Sequence, residues 1–256
     1  MKLYAVIRIP KSGSRSLGVM VEKSLPASRH FKIPQLSVDM PEHLHPAEKF
    51  RARRRIVHGL LKYRALNAEM MWKNVSTRAH DGDILSGHML YGTPQLPGWR
   101  LHYITLLRDP IDRVISEYYY SRKGYLSRPS WRRFYHKGHA EVTGTQSFSD
   151  YVRYLAEHRP RYSNPTLKFV TGGDTCGNPL SFLKEHYFHF GILERMDLFA
   201  TQLAEKLESQ VCQVWENKSE VVDKYVPTEG ELKVLHSLLD KDIAFYRETR
   251  EYILKR

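Results

Sequence analysis

Short apolar runs alternate with segments of helical periodicity along the whole chain. The runs at 4–9, 30–33, 83–87, 101–107 and 188–193 predict strands. Apolar positions at helical spacing predict a helix that begins at Ser14 or Ser16, and others at 46–72, 110–122, 148–158, 179–187, 195–209 and 228–253. The chain between 122 and 146 is predicted to be a loop region. This alternation indicates one α/β domain over residues 1–256, with a three-layer α/β/α fold and a mostly parallel central sheet.

The composition narrows the class of protein without selecting one. A chain of 256 residues with 41% apolar and 12% aromatic residues can bury a sizeable core, which excludes wholesale disorder. The net charge of +12 favours anionic partners, and nucleic acid, an acidic membrane, an acidic glycan and a phosphorylated cofactor all fit it. Two cysteines without a CxxC pair support neither a disulfide framework nor a zinc ribbon. Because the sequence has no 18-residue apolar run and no signal-peptide stretch, we expect a cytoplasmic protein without a transmembrane segment.

The first strand runs directly into a basic turn rich in glycine and serine. A strand that ends in a loop opening a helix presents backbone N–H groups and a positive helix end to an anion. Lys11 adds a positive charge, and Gly13 lets the backbone approach the anion closely. The lysine precedes the glycine, which is not the order of a Walker A motif and disfavours an ATP- or GTP-hydrolysing loop. The alternative is a plain strand-to-helix turn with a solvated lysine.

A second strand-to-helix junction has similar chemistry. Asp109 is the predicted N-cap of a helix that begins at Pro110. Arg108 stands at the end of the strand, and Ser116 follows within the helix, a pair suited to binding a phosphate. In parallel sheets, ligands bind at the carboxyl ends of the strands, where both junctions are predicted to lie. The alternative is that Arg108 forms an ion pair with Asp112 or with another carboxylate.

The segments KSGSRSL and LLRDPIDRVISEYYY closely resemble the two cofactor-binding signatures of the sulfotransferases that use 3′-phosphoadenosine 5′-phosphosulfate (PAPS). The likeness is to the branch of heparan sulfate 2-O-sulfotransferases and related bacterial proteins. It implies a P-loop-NTPase-like sulfotransferase fold and PAPS as cofactor. By resemblance, the 3′-phosphate is bound by Arg108 and Ser116. The 5′-phosphosulfate is bound by the first loop, whose predicted binding residues are Pro10, Lys11, Ser12, Gly13, Ser14, Arg15 and Ser16.

The resemblance extends beyond the two signatures. SGHMLYG matches the family's histidine-bearing segment and implies that His88 is the catalytic base, with Lys11 neutralising the leaving phosphate oxygen. The related glycan enzymes often have His-x-His there, whereas this chain has Ser86. Lys218 and Ser219 match a family loop near the nucleotide. The implied reaction is an in-line transfer of the sulfuryl group to a hydroxyl of a glycan or other sugar-bearing acceptor. It needs no metal, because the leaving group is good and lysine supplies positive charge.

Two further basic segments and two alternative functions also fit parts of the sequence. The run RARRR at 51–55 fits an acidic-polymer site or a solvated helix face. Residues 121–139 mix basic and aromatic side chains, which fits a lid on the acceptor side or an ordinary surface loop. A small-molecule kinase shares the architecture but lacks the Walker A order and a clear Mg²⁺-binding motif. A basic nucleic-acid-binding module explains the charge but not the two junctions, and no RNP, KH or zinc-finger pattern is present, so we expect no nucleic-acid partner.

Overall fold

The computed structural model describes residues 1–34, 46–133, 136–210 and 225–255. The strands of this part are β1 (Lys2–Ile7), β2 (His30–Ile33), β3 (Asp83–Gly87), β4 (Arg100–Leu107) and β5 (Tyr187–Ile192). The first four helices of this part are α1 (Ser14–Ser24), α2 (Pro46–Lys62), α3 (Ala68–Ser76) and α4 (Pro110–Leu126). The later helices are α5 (Ser130–Arg133), α6 (His139–Thr145), α7 (Phe148–Glu157), α8 (Arg159–Tyr162), α9 (Pro165–Thr171), α10 (Pro179–His186), α11 (Met196–Leu207), α12 (Glu229–Leu238) and α13 (Asp240–Leu254).

The five strands form one parallel sheet in the order β2-β3-β1-β4-β5. This confirms the predicted α/β class, and the sheet is parallel throughout these strands. In this order, β2 and β3 lie to one side of β1, whereas β4 and β5 lie to its other side. β1 and β4 are neighbours, so the order of the strands reverses between them. A crevice opens at the carboxyl ends of such a pair and is the usual ligand site of an open α/β sheet.

Helices cover both faces of the sheet, because the strands bury side chains on both sides. Alternate residues of β1 point to opposite faces, so Leu3, Ala5 and Ile7 join one core while Tyr4 and Val6 join the other. α1 and α11 cover the face of Tyr4 and Val6. The opposite core contains side chains of α2, α3, α9, α10 and α13. This is the predicted three-layer arrangement.

A third apolar cluster lies between α4, α7 and α12, and it holds α4 in place. Val114, Ile115 and Tyr118 contribute the buried stripe of α4, as the helical spacing predicts. The predicted N-cap of α4 is confirmed, because the Asp109 carboxylate accepts hydrogen bonds from the N–H groups of Ile111 (2.9 Å) and Asp112 (3.0 Å). α4 is therefore fixed at its start and along its apolar face. Its polar face lies near the loop that follows β1.

The predicted bounds of two helices and of one loop region were wrong. The helix expected over 46–72 is two helices, because the chain turns at Arg64, which has φ 53°, and Asn67 then caps α3. The helix expected over 228–253 is divided into α12 and α13 at Leu239. The loop region expected to reach 146 contains the end of α4, α5 and α6. None of the helices in the described ranges is both long and apolar enough to cross a membrane.

Candidate functional site

The two predicted anion-binding junctions lie side by side at one edge of the sheet. β1 ends at Ile7 and α1 begins at Ser14, so the loop that we call the anion loop spans residues 8–13. β4 ends at Leu107 and α4 begins at Pro110. Because β1 pairs with β4 in parallel, both junctions occupy the carboxyl edge of neighbouring strands. This confirms their predicted place in the fold.

The anion loop has a strained backbone. Lys11 has φ 65° and Gly13 has φ 66°, both in the left-handed region. That region costs an L-residue other than glycine about 1–2 kcal/mol, which is the strain at Lys11. A Cβ at Gly13 would lie 2.6 Å from Cδ1 of Leu193, so the position requires glycine for its space as well as for its φ. Such strain concentrates at ligand-binding loops.

One buried hydroxyl group of the loop has no hydrogen-bond partner in the described part of the chain. Ser12 is 1% exposed, and its Oγ makes no hydrogen bond with the described residues. A buried polar atom of this kind is costly unless a ligand or water satisfies it. Of the other predicted loop residues, Ser16 is buried, Pro10 and Ser14 are half-buried, and Arg15 is exposed. The first turn of α1 follows directly, and the N–H groups of a first turn project from the end of the helix.

Arg108 joins the second junction to the anion loop. Its Nη1 donates a hydrogen bond to the carbonyl oxygen of Lys11 over 3.0 Å. No carboxylate of the described ranges lies within 4.0 Å of the Arg108 guanidinium, so the predicted alternative of an ion pair with Asp112 is wrong. Ser116 is half-buried two turns into α4. The hydrogen bond from Arg108 thus brings the two junctions into direct contact.

Lys11 is half-buried instead of fully solvated. Its Nζ lies 3.5 Å from the centre of the Tyr120 ring on α4, a cation–π contact. Burial lowers the pKa of Lys11, and the positive charges of Arg108 and Arg15 lower it further, whereas Glu117 raises it. The plain turn with a solvated lysine is therefore the poorer description of this loop.

His88 follows β3 and reaches the same edge of the sheet. Its Nδ1 lies 2.5 Å from the carbonyl oxygen of Arg8. A carbonyl only accepts hydrogen bonds, so Nδ1 carries the proton and Nε2 of the neutral ring is the basic nitrogen. Burial lowers the pKa of His88, which favours that neutral ring. Ser86, in the place of the first histidine of His-x-His, is buried within β3, and its Oγ has no partner in the described ranges.

Three residues of the site escaped the sequence analysis as functional residues. Arg8 is the one charged residue that interrupts the first apolar run, and this was the available signal. Its backbone carbonyl orients His88, and its Nε donates to the carbonyl of Ser14 at the start of α1 (2.9 Å). Glu117 and Tyr120 belong to EYYY, whose side chains the sequence predicts mainly to pack against the core and the cofactor, whereas Tyr120 is 59% exposed. Glu117 and Tyr120 follow Arg113 by four and seven residues, so these three side chains of α4 lie on one face of the helix.

The remaining predicted segments have mixed outcomes. Lys218 and Ser219 lie outside the described residues, so their predicted role stays a prediction. In the run at 51–55, the last three arginines are exposed, as a solvated helix face predicts. Arg51 instead contacts the imidazole of His136, which belongs to the basic and aromatic segment predicted at 121–139. Burial is the main cause that lowers the pKa of His136 to about 4, and the positive charges of Arg51 and two further arginines lower it as well. No group of three or more metal-ligating side chains occurs among the described residues.

The chain matches no protein-family model and no curated protein sequence. The residues of the site and their geometry are therefore the evidence for what the protein does.

Proposed function

We propose that the protein is a sulfotransferase, which transfers the sulfuryl group of PAPS to a hydroxyl group of a carbohydrate acceptor. The observation that carries this proposal is the hydrogen bond from Arg108 to the carbonyl of Lys11. It joins two segments, each suited to one phosphate, at the edge where β1 and β4 end. A ligand with two separate anionic groups fits such a surface better than a ligand with one. The proposal includes a P-loop-NTPase-like sulfotransferase fold and a cytoplasmic location.

The residues present fit the cofactor. The loop from Pro10 to Ser16 would bind the 5′-phosphosulfate through Lys11, backbone N–H groups and the unpartnered Oγ of Ser12, which can donate a hydrogen bond to an anion. Arg108 and Ser116 would bind the 3′-phosphate, because a guanidinium and a hydroxyl both donate to phosphate oxygens. The tight packing around Gly13 holds the loop in this shape despite the strain at Lys11.

The two proposed catalytic residues have complementary tasks. PAPS, when bound, supplies a sulfuryl group whose bond to the 5′-phosphate oxygen breaks as the acceptor oxygen takes the sulfur. Lys11 places a positive charge where negative charge grows on the departing phosphate, which lowers the barrier. His88 accepts the proton of the acceptor hydroxyl at Nε2, while Arg8 holds its Nδ1 proton. These tasks require no metal ion.

The proposal is tested by thermal unfolding in the presence of nucleotides. At a hundredfold excess over Kd, the desulfated cofactor, 3′-phosphoadenosine 5′-phosphate (PAP), should stabilise the fold by about 2.7 kcal/mol and raise the melting temperature by roughly 5–10 °C without magnesium. AMP lacks the 3′-phosphate and should raise it much less. A larger effect of Mg-ATP than of PAP would instead establish the kinase alternative. Strong stabilisation by oligonucleotides that is lost in salt would establish the nucleic-acid alternative.

A further inference from the structure

A cavity of about 160 Å³ lies directly beneath the anion loop. Ile9 and Pro10 form one wall, α4 forms the floor, and aromatic rings of the later helices, including Tyr151 and Phe169, form the rest. An apolar cavity of about 150 Å³ holds a benzene molecule, so this volume suits one six-membered ring. Aromatic side chains around it offer flat faces for such a ring.

Two lining residues connect the cavity to the segments that carry the proposed catalytic residues. Pro10 in its wall directly precedes Lys11. Phe169 in the opposite wall accepts a hydrogen bond at its carbonyl from the N–H of Tyr91 (2.9 Å), three residues after His88. A ring in this cavity therefore lies beside the loop that would hold the sulfuryl donor and near the segment that carries the base.

Two charged side chains of α4, Arg113 and Glu117, line the cavity and have different surroundings. Arg113 is 8% exposed, and its positive charge acts on the fully buried carboxylate of Asp242. That carboxylate also accepts hydrogen bonds from the N–H groups of Thr166 (2.9 Å) and Leu167 (2.8 Å). The Asp242 carboxylate therefore offsets part of the charge of Arg113, whose Nε makes no hydrogen bond within the described ranges.

Glu117 makes few hydrogen bonds within the described ranges. Its carboxylate accepts one long hydrogen bond, from Oγ of Ser121 (3.4 Å), and no cation of the described ranges lies within 4.0 Å of it. A carboxylate has about four lone-pair sites, so most of its accepting capacity is unused. Glu117 lines the cavity, and its negative charge acts on both Lys11 and His88.

We propose that this cavity binds a single uncharged, hydroxylated six-membered ring of the acceptor, with the Glu117 carboxylate accepting a hydrogen bond from a ring hydroxyl. The inference rests on the proposed function, since it names the acceptor of that reaction. A ring hydroxyl is the donor that the unused oxygens of Glu117 lack. A ring that carries a carboxylate of its own would meet the like charge of Glu117 at short range and is disfavoured.

The test measures binding of two simple probes to the full chain, with and without saturating PAP. The probes are methyl β-D-glucopyranoside and its uronic acid counterpart, and saturation-transfer NMR reports their affinity. We expect the wild type to bind the neutral glycoside at least tenfold more tightly than the uronic acid. Glu117→Gln should remove most of that preference, and Leu155→Phe, which fills the cavity, should abolish glycoside binding. Glu157→Gln, an exposed carboxylate on the same helix as Leu155, is the matched control and should change nothing.

The outcomes separate this inference from the proposed function. If PAP stabilises the protein but the uronic acid binds as well as the glycoside, or Leu155→Phe leaves glycoside binding intact, the cavity inference is wrong and the cofactor assignment stands. If PAP does not stabilise the protein, the proposed function fails. In that case, glycoside binding that depends on Glu117 would still establish the ring site, and its absence would overturn it.

Discussion

Replacing Gly13 with alanine changes the anion loop by a single methyl group, and the structure predicts two separate penalties. The first is conformational, because at φ 66° an L-residue costs about 1–2 kcal/mol more than glycine. The second is steric, because the new Cβ would lie 2.6 Å from Cδ1 of Leu193 and 3.2 Å from Cδ2 of Leu106. An extra methyl group in a packed site costs about 1–3 kcal/mol. We therefore expect Gly13→Ala to lower the free energy of unfolding by about 2–5 kcal/mol.

Two other glycines separate these penalties. Gly98 has φ 80° with open space around its Cβ position, so Gly98→Ala should show only the conformational loss of about 1–2 kcal/mol. Gly124 lies within α4, also with open space, so Gly124→Ala should stabilise the protein by about 0.5–1 kcal/mol. Urea unfolding measures the free energy of unfolding of all three variants, provided that the dependence of this free energy on urea concentration is the same for each.

The result that would refute the reasoning is specific. A loss for Gly13→Ala no greater than that for Gly98→Ala would mean that the loop does not close against Leu193. No loss at all would mean that the left-handed conformation of the loop is wrong. The predicted loss should be accompanied by weaker binding of PAP, because the same atoms shape the proposed 5′ site.

The remaining predictions concern catalysis. Lys11→Ala should lower kcat for sulfuryl transfer by about 10²–10³-fold with a much smaller change in the Kd of PAP, and an unchanged kcat would remove Lys11 from the mechanism. Because burial lowers the pKa of His88, kcat should be level above pH ~6.5 and fall only below it, as the ring gains a proton; a midpoint above 6.5 would contradict the assigned environment. Tyr120→Leu should slow transfer by about 2–5-fold, equivalent to about 0.5–1 kcal/mol of cation–π stabilisation, whereas Tyr120→Phe and the control Tyr119→Leu should not. Equal rates for Tyr120→Leu and Tyr120→Phe would exclude a role for the ring face.

The sequence predicted the regular parts of the fold well, because they follow from periodicity. All five strands and the parallel sheet agree with the predicted runs, and Asp109 caps α4 as expected. The break between α2 and α3 could not be predicted from periodicity, because apolar spacing continues through Arg64 and an arginine gives no sign of a positive φ. Asn67 is a typical N-cap residue and was the available signal for a new helix.

The site was predictable in its positions but not in its contacts. Strand-to-helix junctions with basic and hydroxyl residues predicted that Lys11 and Arg108 would lie at one edge, and they do. The roles of Arg8 and Glu117 depend on tertiary structure. The first acts on His88 through a backbone carbonyl, which any residue possesses, and the second faces a cavity built by helices distant in sequence. No local pattern encodes either relation.

The most direct test of the central claim is calorimetric titration of PAP and AMP into the wild type, Arg108→Ala and Ser116→Ala. The account holds that the anion loop and Arg108 form one site for a nucleotide with 5′ and 3′ phosphates. The wild type should then prefer PAP over AMP by about 1.5–3 kcal/mol, or more than tenfold in Kd, and Arg108→Ala should erase that preference by weakening PAP much more than AMP. If Arg108→Ala weakens PAP and AMP equally, or the wild type binds both with the same affinity, the claim is contradicted.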